Sequence, residues 1–257
     1  MGDDRFSLAR RLRAGEIVHT GWCGLGVPIV AELIARAGFP AVTLDQQHGL
    51  YTMDSTAAGI AAVHMAAAAP VVRIPLGDFA VVSRILDFGA QGVIAPMINN
   101  AEDARRFAAA AKYPPVGERS SGPLRALMLH GIELIDYVGK ANEATVTFAM
   151  IETREALSNL AAILATPGID AVFIGPSDLS LALSDGKTLD PHSREVDAAV
   201  SDIGAAANKA GKIAGAYTAN AQRANELAAR GFRFLAVASD TAFVRAGTDA
   251  TWKALKR

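Results

Sequence analysis

The segment 145-TVTFAMIETREALSNLAAILATPGIDAVFIGPSDLS-180 contains two β-rich, mainly apolar runs, at residues 145–151 and 171–174. Runs that stay apolar instead of alternating are typical of parallel strands covered on both faces. Pro167-Gly168 interrupts the chain before the second run, and polar residues follow each run directly. The segment therefore predicts two parallel strands that each deliver polar side chains at their end.

The same pattern recurs along the whole chain. Further β-rich runs lie at residues 17–20, 41–44, 71–74, 92–95, 213–216 and 234–237, with alanine-rich stretches of helical spacing between the runs. Eight strand–helix units in about 250 residues predict a (β/α)8 barrel, the TIM barrel, with eight parallel strands. A doubly wound open sheet is the alternative, but residues 21–28, GWCGLGVP, lack the G-x-G-x-x-G spacing of its phosphate loop.

We expect one α/β domain spanning residues 1–257, because no linker divides the chain. An additional N-terminal helix at about residues 6–13 precedes the first strand. Residues 113–122, rich in Pro, Gly and Ser, form a long connection between the fourth and fifth strands. Long loops in compact domains are often functional.

Composition and charge argue against several classes of protein. The net charge is −1, and no basic stripe indicates a nucleic-acid partner. The N-terminus lacks the apolar core of a secretory signal, and no apolar stretch resembles a membrane span. The single cysteine, Cys23, cannot form an internal disulfide. These features predict a cytoplasmic protein that binds neither nucleic acid nor membrane.

In a barrel, the chemistry lies at the C-terminal ends of the strands. The residues at these predicted ends are Asp45, His48, Arg73, Glu152 and Asp178. Two carboxylates at one rim repel each other unless they share a proton or a cation. Glu152 and Asp178 are therefore candidate ligands of an oxygen-seeking divalent metal. Alternatively, each carboxylate caps the N-terminus of a helix.

Arg73 and His48 are the candidate catalytic side chains. An arginine inside an apolar strand needs an anionic partner, either Asp45 or Asp87, or a substrate oxyanion, and these options are compatible. His48 follows Asp45 by three residues, which favours an Asp–His proton shuttle over a lone rim histidine.

No lysine stands at a predicted strand end, and Lys112, for example, reads as a helix or loop residue. A Schiff-base aldolase needs a desolvated lysine inside the barrel. This pattern favours a metal over an imine as the electron sink.

Taken in order, the motifs resemble those of the class II, metal-dependent pyruvate aldolases, of the 4-hydroxy-2-oxoheptane-1,7-dioate aldolase type. The motifs are Leu44-Asp45 through His48-Gly49, Tyr113-Pro114-Pro115 with Gly117 and Arg119, IETREA at 151–156 and GPSDLS at 175–180. The resemblance runs from about residue 21 to residue 243.

The resemblance implies a reversible aldol cleavage of 4-hydroxy-2-oxo acids, which gives pyruvate, or a close 2-oxo acid, and an aldehyde through a metal-bound enolate. Glu152 and Asp178 would hold Mg²⁺, Mn²⁺ or Co²⁺, which would chelate the carboxylate and ketone oxygens of pyruvate. Backbone N–H groups near Gly175 and Ser177 would bind the pyruvate carboxylate. Members of the family are typically homohexamers, so the resemblance also implies a homo-oligomer.

The resemblance assigns roles to the remaining residues of the site. Arg73 would stabilise the enolate oxygen, and His48 with Asp45 would move the proton of the aldol hydroxyl. Asp87 would help to position this network, and Trp22 would lie near the aldehyde.

Two departures from the family pattern bear on substrate choice. Gln46-Gln47 stands where the family often has Gly-Glu before the histidine, and Met150 stands where Gln is common. We therefore expect aldolase chemistry to be kept and the acceptor or donor preference to differ. The alternatives are a carbon–carbon lyase of the citryl- or malyl-CoA type, and a catalytically silent barrel that serves as a binding subunit.

Overall fold

The computed structural model describes residues 7–255, in which eight parallel strands close into a barrel in chain order. The strands are β1 (Val18–Cys23), β2 (Ala41–Asp45), β3 (Ala69–Arg73), β4 (Gly92–Ala95), β5 (Val146–Ile151), β6 (Ala171–Ile174), β7 (Ile213–Thr218) and β8 (Phe234–Ser239). Strand β1 pairs with both β2 and β8, which closes the barrel. The predicted (β/α)8 barrel is confirmed, and an open doubly wound sheet is excluded.

Helices connect the strands on the outside of the barrel. They are α1 (Ser7–Arg13), α2 (Pro28–Arg36), α3 (Met53–Met65), α4 (Ala80–Asp87), α5 (Ala101–Ala111), α6 (Leu124–His130), α7 (Leu134–Ala144), α8 (Arg154–Ser158), α9 (Leu160–Ala165), α10 (Pro176–Leu183), α11 (Arg194–Lys209), α12 (Ala221–Ala229) and α13 (Asp240–Ala254). Helix α1 is the predicted N-terminal helix, and residue 6, its expected start, lies outside the described residues. Between residues 7 and 255, no helix has both the length and the apolar character needed to cross a membrane.

The strand bounds follow the apolar runs closely. Strands β4 and β6 span the expected residues, and β3 ends at Arg73 as predicted. Strands β1, β7 and β8 extend beyond their apolar runs to Cys23, Thr218 and Ser239. In the closed barrel Trp22 pairs with Ser239, and Tyr217 and Thr218 pair with Ala236 and Val237. Tertiary pairing therefore lengthens strands whose last residues are less apolar.

The interior of the barrel is filled by aromatic side chains. The rings of Phe148 and Phe234 lie 4.6 Å apart, and Phe173 lies 6.1 Å from Phe234 and 5.8 Å from Trp22. A Cβ atom at Gly215 would come within 2.9 Å of the Phe173 ring, so glycine makes room for this packing. The aromatic layer closes the barrel below the C-terminal ends of the strands and forms the floor of any cavity there.

A buried ion pair lies at the opposite end of the barrel, where the strands begin. Lys112 Nζ donates to Asp170 Oδ2 at 2.7 Å and to the carbonyl oxygens of Asn142 and Thr145 at 2.8 Å. Asp170 immediately precedes β6, and the Lys112 side chain is only 1 % exposed. Lys112 is the C-cap of α5, so its placement at a helix end and not at a strand end agrees with the sequence, but its ammonium group is desolvated. It faces the end away from the predicted chemistry, however, and it is fully paired.

Candidate active site

A cavity of about 250 Å³ opens at the C-terminal ends of the strands. It is lined by Trp22, His48, Arg73, Met150, Phe173, Gly175, Pro176, Ser177, Asp178 and Tyr217. The lining comes from β1, β3, β5, β6 and β7 and from the segments that follow β2 and β6. The rim thus brings together most of the residues that the sequence nominates.

Arg73 and Asp45 form a two-point ion pair at this rim. Arg73 Nε donates to Asp45 Oδ1 at 2.8 Å, and Arg73 Nη2 donates to Asp45 Oδ2 at 2.6 Å. The two residues are partners in the register between β2 and β3. Such a fork holds the guanidinium plane in one orientation, so its remaining N–H groups are directed in advance.

The contacts with Arg73 keep the Asp45 carboxyl group ionised. Burial alone would raise the pKa of Asp45, but the hydrogen bonds and the positive charge of Arg73 lower it below its ordinary value. Trp22 Nε1 also donates to Asp45 Oδ2 at 3.3 Å, and the Arg73 guanidinium lies 4.9 Å from the Trp22 ring. Asp45 therefore stays ionised and positions both Arg73 and Trp22.

His48 stands on the turn after β2 with an exposed side chain. Asp45 Oδ1 accepts from the backbone N–H groups of Gln47 at 3.0 Å and His48 at 3.4 Å. In the described chain, no hydrogen bond joins the His48 ring to Asp45. Asp45 thus shapes the turn that carries His48, and its strongest partner is the arginine rather than the imidazole.

The two glutamines before His48 do not line the cavity. The backbone N–H of Gln46 donates to the Arg73 carbonyl oxygen at 2.9 Å, and its side-chain Nε2 donates to Thr56 in α3 at 2.9 Å. Met150, the other departure from the family pattern, does line the cavity. Of the departures, Met150 is therefore the one placed to contact a substrate.

Glu152 has a buried carboxyl group in which only one of the two oxygens accepts a hydrogen bond. Its Oε1 accepts from the backbone N–H of Met97 at 2.9 Å, whereas its Oε2 is buried without a hydrogen-bond partner. Burial, and secondarily the charge of Asp178, raise the pKa of Glu152 from its ordinary value of 4.5 to about 7. A cation bound here would give this buried oxygen a partner and would offset the repulsion between the two carboxylates.

Neither carboxylate serves as a helix cap. Thr153 caps α8 through its own side chain, and Gly175 is the N-cap of α10 without any side-chain cap bond. A Cβ atom at Gly175 would lie 2.3 Å from Glu152 Oε2, so glycine keeps the space next to this oxygen open. Neither carboxylate is therefore occupied by a side-chain cap bond, although Asp178 lies in the first turn of α10, where its charge also suits the helix dipole.

The fit of this pair to a divalent metal is good. Carboxylate oxygens are the ligands that Mg²⁺ and Mn²⁺ prefer, and Mg²⁺ is often held by one or two carboxylates with waters and substrate completing the shell. Within residues 7–255, no third His, Cys, Asp or Glu joins the pair in a cluster. The remaining positions of such a metal would therefore fall to water and substrate.

The N-terminus of α10 forms the wall of the cavity next to Glu152. The helix begins at Pro176, and its first internal bond runs from Leu179 N–H to the Gly175 carbonyl oxygen. The N–H groups of Ser177 and Asp178 belong to the first turn, which has no partners within the helix. A helix N-terminus of this kind attracts a carboxylate.

Within residues 7–255, Asp87 does not lie with Arg73 and His48 at the cavity, contrary to its predicted place in this network. It is the last residue of α4, and its Oδ1 accepts from Arg119 Nη2 at 2.6 Å. The buried Arg119 guanidinium lies 4.6 Å from the Tyr113 ring and 5.6 Å from the Tyr137 ring. Helix α4 carries the chain back towards the start of β4, so Asp87 leaves the rim. The carboxylate that orients the arginine is Asp45.

Tyr217 is a cavity residue that sequence reasoning missed. The apolar run of the seventh strand stops at residue 216, whereas the structure continues β7 to Thr218. The Tyr217 ring packs edge-on against Trp22, with 5.6 Å between the ring centroids. The signal was present, since a polar aromatic residue follows an apolar run as at the other strand ends.

Such a rim belongs to an enzyme of the (β/α)8 barrel class, in which catalytic groups come from the ends of several strands. Residues 21–246 match the family described as HpcH/HpaI aldolase/citrate lyase. The chain therefore belongs to this family, and it is an aldolase, a carbon–carbon lyase. The predicted family is confirmed, and a catalytically silent barrel is set aside.

Similar proteins cover nearly the whole chain. A hydroxypyruvate/pyruvate aldolase from Rhizorhabdus wittichii is 38% identical over 90% of this chain and 91% of its own. A 4-hydroxy-2-oxo-heptane-1,7-dioate aldolase from Salmonella dublin is 38% identical over 93% of this chain and 90% of its own. The crystal structure of an HpcH/HpaI aldolase from Desulfitobacterium hafniense is 30% identical, with a TM-score of 0.88 and 97% of each chain covered.

Proposed function

We propose that the protein catalyses the reversible aldol cleavage of 4-hydroxy-2-oxo acids to pyruvate, or a close 2-oxo acid, and an aldehyde. The names of the Rhizorhabdus and Salmonella relatives support this substrate class. The observation that carries the proposal is the unpartnered Glu152 Oε2 beside Asp178, next to the Arg73 fork. This combination suits a 2-oxo acid, which offers a carboxylate and a carbonyl oxygen that becomes negative during the reaction.

Glu152 and Asp178 would hold a divalent cation, Mg²⁺, Mn²⁺ or Co²⁺. When bound, the cation supplies a Lewis acid that stabilises negative charge on the substrate oxygens. The open space at Gly175 leaves room for it next to Glu152 Oε2.

The carboxylate of the substrate is expected at the N-terminus of α10. Ser177 and Asp178 in its first turn border a cavity that also contains Arg73. This placement directs the 2-oxo group towards Arg73, because the carboxylate and the carbonyl carbon are directly bonded. Trp22 and Phe173 close the cavity below with apolar surface.

Arg73 would stabilise the developing enolate. When the C3–C4 bond breaks, its electron pair moves into the C2–C3 bond, and the C2 carbonyl electrons move onto oxygen. Asp45 occupies Nε and one Nη2 hydrogen of Arg73, so the guanidinium meets this oxygen in a fixed orientation. Asp45 thus acts as a positioning residue.

His48 would move the proton of the aldol hydroxyl. In cleavage, the 4-hydroxyl loses its proton as the C3–C4 bond breaks and the aldehyde carbonyl forms. The enolate then takes a proton from solvent water at C3 and leaves as pyruvate, while His48 returns its proton to solvent. His48 lines the cavity from an exposed turn, which allows it to exchange the proton with solvent.

The proposal is tested by deuterium exchange at C3 of pyruvate in D2O with Mg²⁺ or Mn²⁺. Arg73→Ala should reduce exchange at least roughly hundredfold, the usual cost of losing an oxyanion donor. Arg36→Ala, at an exposed ion pair in α2, is the matched control and should exchange normally. Thorough chelation should stop exchange reversibly. Exchange that persists with no metal bound would show the metal assignment to be wrong.

The assembly and location are also proposals. We expect a homo-oligomer, a hexamer by family resemblance, that works in the cytoplasm. The exposed apolar side chains of Leu124 and Met128, one turn apart on α6, and of Ile135 at the start of α7 support self-association.

A further inference from the structure

Tyr217 places a hydroxyl group in a cavity whose other walls are largely apolar or charged. Residues 213, 215 and 217 of β7 share one face of the strand, which points into the barrel. The Tyr217 ring is fixed by its edge-on contact with Trp22. Of the neutral lining residues, Tyr217 and Ser177 are the two with a hydroxyl group, beside Trp22, Met150 and Phe173.

The neighbouring strand β8 supports Tyr217 from the side, because Tyr217 pairs with Ala236 of β8. The pairing of β1 with β8 shifts register between Thr20 and Trp22, and Ala238 takes a left-handed conformation with φ of 55°. Beyond this irregularity, Ser239 pairs with Trp22, the residue that the Tyr217 ring contacts. Burial raises the pKa of Tyr217, so its hydroxyl is neutral and can donate a hydrogen bond.

We infer that Tyr217 selects a reactant with a hydroxyl group on the carbon next to its reacting carbonyl. The inference rests on the proposed function, because it concerns the reactants of the same site. The matching chemistry is found in a 2-hydroxyaldehyde acceptor and in a 3-hydroxy-2-oxo acid donor. A phenol hydroxyl both donates and accepts, so it can bond the substrate hydroxyl while the apolar walls exclude competing water.

The test compares the wild type with Tyr217→Phe on two pairs of reactants that differ by one hydroxyl group. Glycolaldehyde is compared with acetaldehyde as acceptor, and hydroxypyruvate with pyruvate as donor. The ratio of kcat/KM for one hydroxylated reactant over its partner should fall about three- to tenfold in the variant, the value of one neutral hydrogen bond. The pair whose ratio falls identifies which reactant Tyr217 binds.

Tyr51→Phe is the matched control, because it also removes a buried phenol hydroxyl. Tyr51 packs in the core between the strands and the outer helices, and its hydroxyl has no partner among the described residues. Both ratios should stay unchanged in this variant. If Tyr217→Phe leaves both ratios unchanged, or if Tyr51→Phe lowers them equally, the inference is overturned.

The proposed function is checked separately, by exchange at C3 of pyruvate without any aldehyde. Measurable exchange in Tyr217→Phe demonstrates an assembled site, so unchanged ratios would then count against the inference alone. If the wild type shows no exchange at C3 of pyruvate with Mg²⁺, Mn²⁺ or Co²⁺, the result would count against the proposed function itself.

Discussion

Among single residues, Glu152 is the one whose chemistry depends most on its surroundings. Its carboxyl group is buried, near Asp178, and bonded to a single backbone N–H. Burial favours its protonated form and raises its pKa to about 7. A metal binds the deprotonated form, so the proton and the metal compete for one site.

The pH dependence of stability should reveal this group in the metal-free protein. Glu152 has a higher pKa when folded than when unfolded, so its stabilising effect is complete below pH 4.5 and is lost as the pH rises to about 7. This difference amounts to a loss on the order of 3 kcal/mol. We expect the free energy of unfolding, measured in urea at pH 5 and pH 8 with chelator, to fall by this amount relative to Glu152→Gln.

The Glu152→Gln variant is the reference, because it cannot titrate at this position. Equal pH dependence in the two proteins would contradict a raised pKa. Metal affinity of the wild type, measured by calorimetry, should in turn weaken about tenfold per pH unit below 7.

Gly175 should tolerate no side chain. Its φ of −94° is allowed for alanine, so the expected effect is steric and not a matter of backbone strain. The added Cβ would lie 2.3 Å from Glu152 Oε2 and 3.0 Å from Met150 Cε. We expect Gly175→Ala to weaken metal binding at least about tenfold and to cost roughly 1–3 kcal/mol of stability, as overpacking does.

The control for this substitution is Gly139→Ala in α7, where no heavy atom lies within 4 Å of the added Cβ. It should stabilise the protein by about 0.5–1 kcal/mol, since alanine is the better helix former. Metal titration and thermal unfolding of both variants test whether the metal occupies the space beside Glu152. Normal metal affinity in Gly175→Ala would show that the gap beside Glu152 is not the metal position.

At the level of elements, each end of the barrel has its own buried ion pair. Asp45 and Arg73 join β2 to β3 at the catalytic rim, whereas Lys112 and Asp170 join the end of α5 to the start of β6 at the opposite face. In barrels, chemistry concentrates at the first face and stability at the second. The two ion pairs should therefore respond differently to substitution.

Lys112→Met should destabilise the protein without altering the reaction. Removing the ammonium leaves Asp170 with Thr147 and a longer contact to Arg13, at 3.4 Å, so this half-buried negative charge loses its main partner. Breaking a buried pair in this way costs about 3–5 kcal/mol. Thermal unfolding should shift downwards, while kcat/KM for aldol cleavage at a temperature where the variant is folded should match the wild type.

Lys140→Met provides the comparison, because Lys140 is exposed on α7. Its stability should lie within about 0.5 kcal/mol of the wild type. A folded Lys112→Met protein with a large loss of kcat/KM would instead tie this face to catalysis.

For the whole molecule, the open question is self-association. Leu124 is 73% exposed and Ile135 is 79% exposed, which is costly for large apolar side chains in water. We expect light scattering coupled to gel filtration to give six times the 26.8 kDa mass of the chain. A monomeric mass at micromolar concentration would contradict the hexamer and leave these side chains without a partner.

Much of this molecule follows from its local sequence pattern. Apolar runs at regular intervals predicted eight parallel strands, because residues buried on both faces of a sheet must be apolar along their whole length. Once the strands are placed, the polar residues after them are placed as well, which is why the sequence pattern alone nominates Arg73, Glu152 and Asp178 for the rim. Their metal and catalytic roles stay predictions.

The local sequence pattern did not predict which charged residues pair with each other or which polar side chains are buried away from water. The sequence did not distinguish Asp45 from Asp87 as the partner of Arg73, and it did not reveal that Lys112 is buried or that Tyr217 faces the cavity. These features depend on residues distant in the chain that the closed barrel brings within a few ångströms. Ion pairing and desolvation act over such short distances in space, and no spacing along the chain encodes them.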